Sequence, residues 1–311
     1  MTTFSDGVYQ YGGAPVSSGL DVSKIFSTKL KGRAWFVDPT SGGNGTGKTP
    51  KGAFTTMAQA FSAMASGDIV YFVGDVREQL VTPVQIFDVT IVGCGNRPRH
   101  ADSAPTNGNQ AAATWRAPSS GAVSGQATVR VLQQGWKFVN TLFAMESSTA
   151  AGIELVRNAG SGDAERDASH AEILGCVFSG AGVGVRGGAT SFSETTNHVL
   201  IDGCRFNDMT YAIRTEIISN YWTIRNNEFR VNTNHIVADF GYAFIYNNIF
   251  GRFTTDSIEL PGSSIGYNVI TKNYLSGTYS SAGGYTVSDS TDEWAGNWNT
   301  IAGGITVSDP A

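Results

Sequence analysis

In the second half of the chain, apolar and polar positions recur in a short unit and lack the 3, 4, 7 spacing of a helix. Five segments carry the unit, about once every 20 to 35 residues. They are Glu172-Ile173-Leu174-Gly175-Cys176-Val177-Phe178, Leu200-Ile201-Asp202-Gly203-Cys204-Arg205-Phe206, Thr223-Ile224-Arg225-Asn226-Asn227-Glu228-Phe229, Phe244-Ile245-Tyr246-Asn247-Asn248-Ile249-Phe250 and the looser Ile265-Gly266-Tyr267-Asn268-Val269-Ile270. Each reads as a strand, a Gly/Asn corner and a second strand. A third apolar position follows seven residues after three of the phenylalanines, at Val185, Ile213 and Ile236, and eight after Phe250, at Ile258. One unit is too small to bury its own apolar face, so neighbouring units must stack.

The phase of the unit separates inside from outside, because alternate side chains of a strand face opposite ways. Ala171, Ile173, Cys176 and Phe178 share one side, as do Val199, Ile201, Cys204 and Phe206 one unit later. The corner pairs Gly175-Cys176, Gly203-Cys204, Asn226-Asn227 and Asn247-Asn248 hold residues that tolerate left-handed backbone angles. Cys94, Cys176 and Cys204 each follow a glycine after an aliphatic strand. This odd set at one repeat position reads as small buried thiols rather than a disulfide framework, and no pair has zinc-like spacing.

Ahead of the repeats, residues 1–32 are polar and glycine-rich with Phe4, Val8, Tyr9 and Tyr11, which suggests an arm that orders on a partner. A strand follows at Ala34-Trp35-Phe36-Val37. Phe54, Ala58, Phe61 and Ala65 then set an amphipathic helix over residues 54–65, and Ser66-Gly67-Asp68 ends it before the strand Ile69-Val70-Tyr71-Phe72-Val73. In this order of elements the chain resembles the pectin-lyase-like parallel β-helix superfamily, and within it phage tailspikes and related virion proteins. The resembling segments are the Val37-Asp38-Pro39 strand exit, the Gly/Asn/Thr loop, the short helix and the coils, over residues 33 to about 307. The resemblance implies an all-β right-handed parallel β-helix spanning residues 33–311, with the helix capping its N-terminal end. It implies little about activity, because that scaffold carries lyases, hydrolases, adhesins and inert spikes.

Composition narrows the classes. Only 15% of residues are charged, 38 are glycine and the net charge is −5; the seven lysines avoid residues 138–271. A nucleic-acid surface is therefore not expected. No apolar run is long enough for a transmembrane helix, and the N-terminus lacks a signal pattern, so folding in a cytosol is expected.

Residues 42–49, Gly-Gly-Asn-Gly-Thr-Gly-Lys-Thr, match a phosphate-loop pattern. Pro50, Lys51 and Gly52 then separate Lys48-Thr49 from the helix whose amides would hold the phosphates, so the match reads as a glycine-rich surface loop. No cofactor and no metal is expected. Outward acids are Glu154, Glu172, Asp202, Glu228 and Glu259. Asp202 and Glu228, on neighbouring coils near a corner, make the best candidate pair for a polysaccharide hydrolase. Arg205 and Arg225 belong beside them, so an ionic surface patch is the competing reading. Glu154, Arg186 and Arg214 fall on equivalent outward positions and read as cross-coil charge pairing.

His170, His198, Tyr221 and Tyr242 share one outward repeat position, Leu200 and Phe244 the next, and Tyr246 lies beyond. Such a face fits a subunit interface, a sugar-stacking platform, or core if the register is misread. The reading favoured by sequence is a bacteriophage virion surface protein without enzymatic activity: a short spike, fibre or decoration subunit. It would be a homotrimer held to another virion protein by the arm, with host surface polysaccharide as a candidate ligand. The alternative is a polysaccharide depolymerase on the same fold.

Overall fold

A computed structural model describes residues 10–11, 14–15, 32–40, 45–95, 113–120, 122–145, 151–158, 166–188, 196–251, 253–260, 266–275, 285–286, 291–299 and 304–306. Three long sheets are built by one path repeated along the chain. The coil Glu172–Leu174, Val177–Ser179, Val183–Gly187 places one strand in each of sheets 1, 2 and 3, and Leu200–Asp202 then re-enters sheet 1 beside its predecessor. Within each sheet the strands lie in chain order and pair in parallel. Sheet 1 runs from Ala34–Val37 to Glu293–Ala295, sheet 2 from Asp75–Arg77 to Asn297–Asn299, and sheet 3 from Leu80–Val81 to Tyr285–Thr286. This is a right-handed parallel β-helix, the hand that crossovers between parallel strands of one sheet adopt. The last strand departs from the coil pattern: Gly304–Thr306 turns back antiparallel on Asn297–Asn299 and closes the edge of sheet 2.

The core is a set of columns with one residue per coil. Sheet 1 contributes Phe138, Ile173, Ile201, Ile224, Ile245 and Ile270, all fully buried. In sheet 2, Phe143, Phe178, Phe206, Phe229 and Phe250 stack face to face at 5.1, 4.8, 5.0 and 4.7 Å. Val129, Ile153, Val185, Ile213, Ile236 and Ile258 fill sheet 3. The longer spacing from Phe250 to Ile258 is a bulge: the register slips between Asn232 and Asn234, so the next strand carries one extra residue.

Corners between sheets 1 and 2 hold a left-handed residue followed by a buried polar one. The left-handed column is Asn140, Gly175, Gly203, Asn226, Asn247, Lys272 and Gly296. The buried column runs Thr141, Cys176, Cys204, Asn227, Asn248, Asn273, Asn297. Sequence reads the fifth repeat, strand, corner and strand, within residues 265–270. The register instead pairs Val269 with Phe244 and Ile270 with Ile245, which moves that corner to Lys272-Asn273. Lysine at a left-handed position hides it from a search for Gly/Asn pairs.

The capping helix is shorter than sequence suggested, Met57–Ala63 in place of residues 54–65. Phe54 is drawn into a bridge with Val37, and Thr56 with Gln59 forms a capping box that starts the helix. At the other end Met64 is already extended. Glu78 accepts from the Met57 and Ala58 amides at 2.7 and 2.9 Å, and Phe61 packs edgewise on Trp115 and Trp136. The phosphate-loop match has no phosphate-loop structure over its described part: Pro50–Gly52 is a single 3-10 turn, and the helix begins five residues later.

Of the arm residues, Phe4, Val8 and Tyr9 lie outside the described residues. Tyr11 is described in its backbone only, in a short antiparallel pairing of Gln10–Tyr11 with Ala14–Pro15. Residues 96–110 also lie outside.

Candidate functional site

The residue that turns the chain into sheet 1 is left-handed in successive coils: Asp88, Gly135, His170, His198, Tyr221, Tyr242 and Tyr267. From His170 onward the side chains form one continuous stack. Centroid distances are 4.8 Å from His170 to His198, 4.8 Å to Tyr221, 5.3 Å to Tyr242 and 5.6 Å to Tyr267, with interplanar angles of 12° or less. Tyr221, Tyr242 and Tyr267 remain 49%, 40% and 57% exposed. The outward register read from sequence is therefore correct, and these residues are not core. Tyr267 belongs to the ladder too; misplacing the fifth corner concealed it.

Ring spacing here, from 4.8 to 5.6 Å, stays close to the strand spacing of about 4.8 Å. Each ring thus covers its neighbour's face, and what the strip offers to solvent is ring edges. A sugar stacks on a free aromatic face, which only the two ends of such a ladder have. In the adjoining column Glu172, Leu200, Thr223, Phe244 and Val269 are register partners, with Leu200 half-buried and Phe244 exposed. Beyond it, Asp202, Arg225 and Tyr246 follow one another. Arg225 joins the other two, donating to the Tyr246 hydroxyl at 3.1 Å and to Asp202 Oδ2 at 2.9 Å; Tyr246 first, then Asp202, hold its proton more firmly than usual.

The two candidate catalytic carboxylates lie on either side of the Asn226-Asn227 corner, Asp202 in sheet 1 and Glu228 in sheet 2. Each is held by an arginine of a neighbouring coil. Asp202 Oδ2 accepts from Nε and Nη2 of Arg225 at 2.9 and 2.8 Å, while its Oδ1 accepts from Asn226 Nδ2 at 2.8 Å. Glu228 Oε2 accepts from Nε and Nη2 of Arg205 at 2.8 and 2.6 Å. Glu172 likewise pairs with Lys137 at 2.7 Å. Glu154 sits at an outward position of sheet 3, yet its carboxylate is covered, held by Arg130 and Arg186. Among the described residues no group of three or more His, Cys, Asp or Glu side chains could hold a metal ion.

The cysteines are free and buried. Cys176 and Cys204 donate from Sγ to the carbonyls of Phe138 and Ile173, at 3.4 and 3.3 Å. Asn227 and Asn248 make the same bond one and two coils later, to Ile201 and Ile224. Burial pushes the Cys94 thiol up to about 12 and that of Cys204 well above its ordinary value. His235, which sequence did not single out, is fully buried between the rings of Phe229 and Phe250. Its register partners in earlier coils are Ala212, Gly184 and Gly152, and a Cβ at either glycine would meet a phenylalanine ring at 2.9 Å. Its Nε2 lies 3.1 Å from the Gly251 carbonyl and Nδ1 2.9 Å from Asn232 Nδ2, an arrangement that suits a neutral ring, and burial lowers its pKa to about 4.

No protein-family model and no curated protein sequence matches the chain. Solved structures do match it in shape. The pectin methylesterase from carrot aligns over 88% of this chain and 85% of its own at 12% identity, with a TM-score of 0.54. The pectin methylesterase from Aspergillus niger aligns over 88% and 87% at 15% identity, with a TM-score of 0.52. Dettilon tailspike protein aligns more loosely, over 85% and 61% at 11% identity and a TM-score of 0.32. At these identities the likeness is one of fold, and the chain has the right-handed parallel β-helix fold of the pectin-lyase-like proteins.

Proposed function

We propose that the protein is a non-enzymatic structural subunit of a bacteriophage virion, a short spike, fibre or decoration protein. In this reading copies associate as a homotrimer along sheet 1, residues 1–32 attach it to another virion protein, and host surface polysaccharide is a candidate contact. The observation that carries it is the edge-on ladder His170, His198, Tyr221, Tyr242, Tyr267 beside exposed Phe244. An exposed strip of this kind is costly on an isolated rod and is covered when rods pack side by side. With its ring faces already stacked, the strip suits a protein interface better than a sugar platform.

The second reading, a polysaccharide depolymerase, rests on the fold and on Asp202 and Glu228. Arg225 holds Asp202 Oδ2 and Arg205 holds Glu228 Oε2, and ion pairing of this kind favours the charged carboxylate over the protonated acid that cleavage of a glycosidic bond needs. The test is incubation with a panel of bacterial capsular polysaccharides and pectins, read by new reducing ends, unsaturated products and released methanol. No turnover is expected. Turnover that disappears in Asp202→Asn or Glu228→Gln would replace the structural reading with the enzymatic one.

A further inference from the structure

Sheet 3 carries an outward column in which cations outnumber carboxylates. Arg130, Glu154, Arg186 and Arg214 are successive register partners. Glu154 spends both oxygens on the first two arginines: Oε2 accepts from Arg130 Nε at 2.5 Å and Oε1 from Arg186 Nη2 at 2.7 Å. Arg214 comes next; among the described residues it makes a long ion pair with Glu216, whose Oε1 is 3.8 Å from its Nε and beyond hydrogen-bond reach. Its guanidinium lies 4.7 Å over the Tyr211 ring. By contrast, Lys137 with Glu172, Asp202 with Arg225 and Arg205 with Glu228 are one-to-one pairs.

Like charges directly opposite in a sheet repel. Arg186 and Arg214 are so placed, and the Nε of Arg186 is buried with no hydrogen-bond acceptor among the described residues. Buried donors in native proteins are almost always satisfied. Both side chains also keep a solvent-facing part, 16% of Arg186 and 38% of Arg214. Register-partner arginines carry two planar guanidinium forks on neighbouring strands, and such forks suit the oxygens of a small oxyanion.

We infer that Arg186 and Arg214 form an oxyanion-binding site on sheet 3, for a phosphate or sulfate group, either free or carried as an ester on a larger molecule. The site lies on a different sheet from the aromatic ladder and does not rest on the virion reading. A bound oxyanion relieves the Arg186–Arg214 repulsion.

Arginine Nε–H resonances of the isotope-labelled full chain, titrated at constant ionic strength with inorganic phosphate, sulfate, phenyl phosphate or chloride, test it. The expected result is saturable shifts of the Arg186 and Arg214 signals with the oxyanions and none with chloride. Phenyl phosphate acting like phosphate assigns the site to esterified groups; inorganic ions alone acting assigns it to free anions. Arg214→Gln, which leaves the Glu154 contacts in place, should weaken binding at least tenfold. Shifts that never saturate, or that match chloride, mean an adventitious ion only and overturn the site, as does unchanged affinity in Arg214→Gln.

Discussion

Asn248 donates from Nδ2 to Oδ1 of Asn273 at 3.0 Å, and the same Oδ1 accepts the Asn248 backbone amide at 3.0 Å. The pattern repeats from Asn227 to Asn248 and from Asn273 to Asn297, and each Nδ2 reaches back to a carbonyl of the preceding coil. This buried amide ladder ties four coils at the corner where a strand-to-strand turn would otherwise leave groups unpaired. Replacing Asn248 by Ala strands the Asn227 amide and the Ile224 carbonyl at once. The expected loss is about 3 kcal/mol, read as a lower urea midpoint at unchanged slope; a loss below about 1 kcal/mol would show that the ladder adds little.

Asp68 plays a comparable part at the N-terminal end. Its buried carboxylate accepts from the Arg33 amide, Trp35 Nε1 and the Ala65 amide at 2.6, 2.7 and 2.8 Å. Asp68→Ala removes all three bonds and should cost about 3 kcal/mol in equilibrium unfolding, with native-state hydrogen exchange first rising in residues 32–37. Uniform loss of protection along the solenoid would contradict that localisation.

His235 gives the stability a pH signature. Its pKa falls from 6.5 unfolded to about 4 folded, so the unfolded chain binds the extra proton between those values. Stability from this group is full above pH 6.5 and is lost as pH falls toward 4, by about 3 kcal/mol in all. His235→Gln should flatten that part of the profile. Identical slopes for the two proteins between pH 6.5 and 4 would remove His235 as the cause.

The three thiols should be inert in the native protein. With Cys94, Cys176 and Cys204 buried and the thiolates of Cys94 and Cys204 disfavoured, none should react with a disulfide reagent at pH 8 until denaturant is added. Prompt modification of any one would mean that its coil opens.

The solenoid was legible from sequence because its columns repeat a residue type at a fixed phase: isoleucine in sheet 1, phenylalanine in sheet 2, Cys or Asn at the corner. The ladder of His170, His198, Tyr221 and Tyr242 followed from that phase. What escaped were places where one column changes chemistry. Lys272 stands where glycine and asparagine stand in other coils, which shifted the fifth corner and hid Tyr267. His235 replaces glycine and alanine, and only the ring packing around it reveals why there is room. Glu154 reads as a surface acid until its two arginines close over it.

The most direct test of side-by-side association is the solution mass by light scattering. A chain of 32.9 kDa should run as a trimer of about 99 kDa. In a Tyr221→Asn, Tyr242→Asn double variant, where asparagine keeps the left-handed corners, it should fall to the monomer mass with circular dichroism unchanged. A monomeric parent protein, or a trimer that survives the double replacement, would contradict association through this ladder.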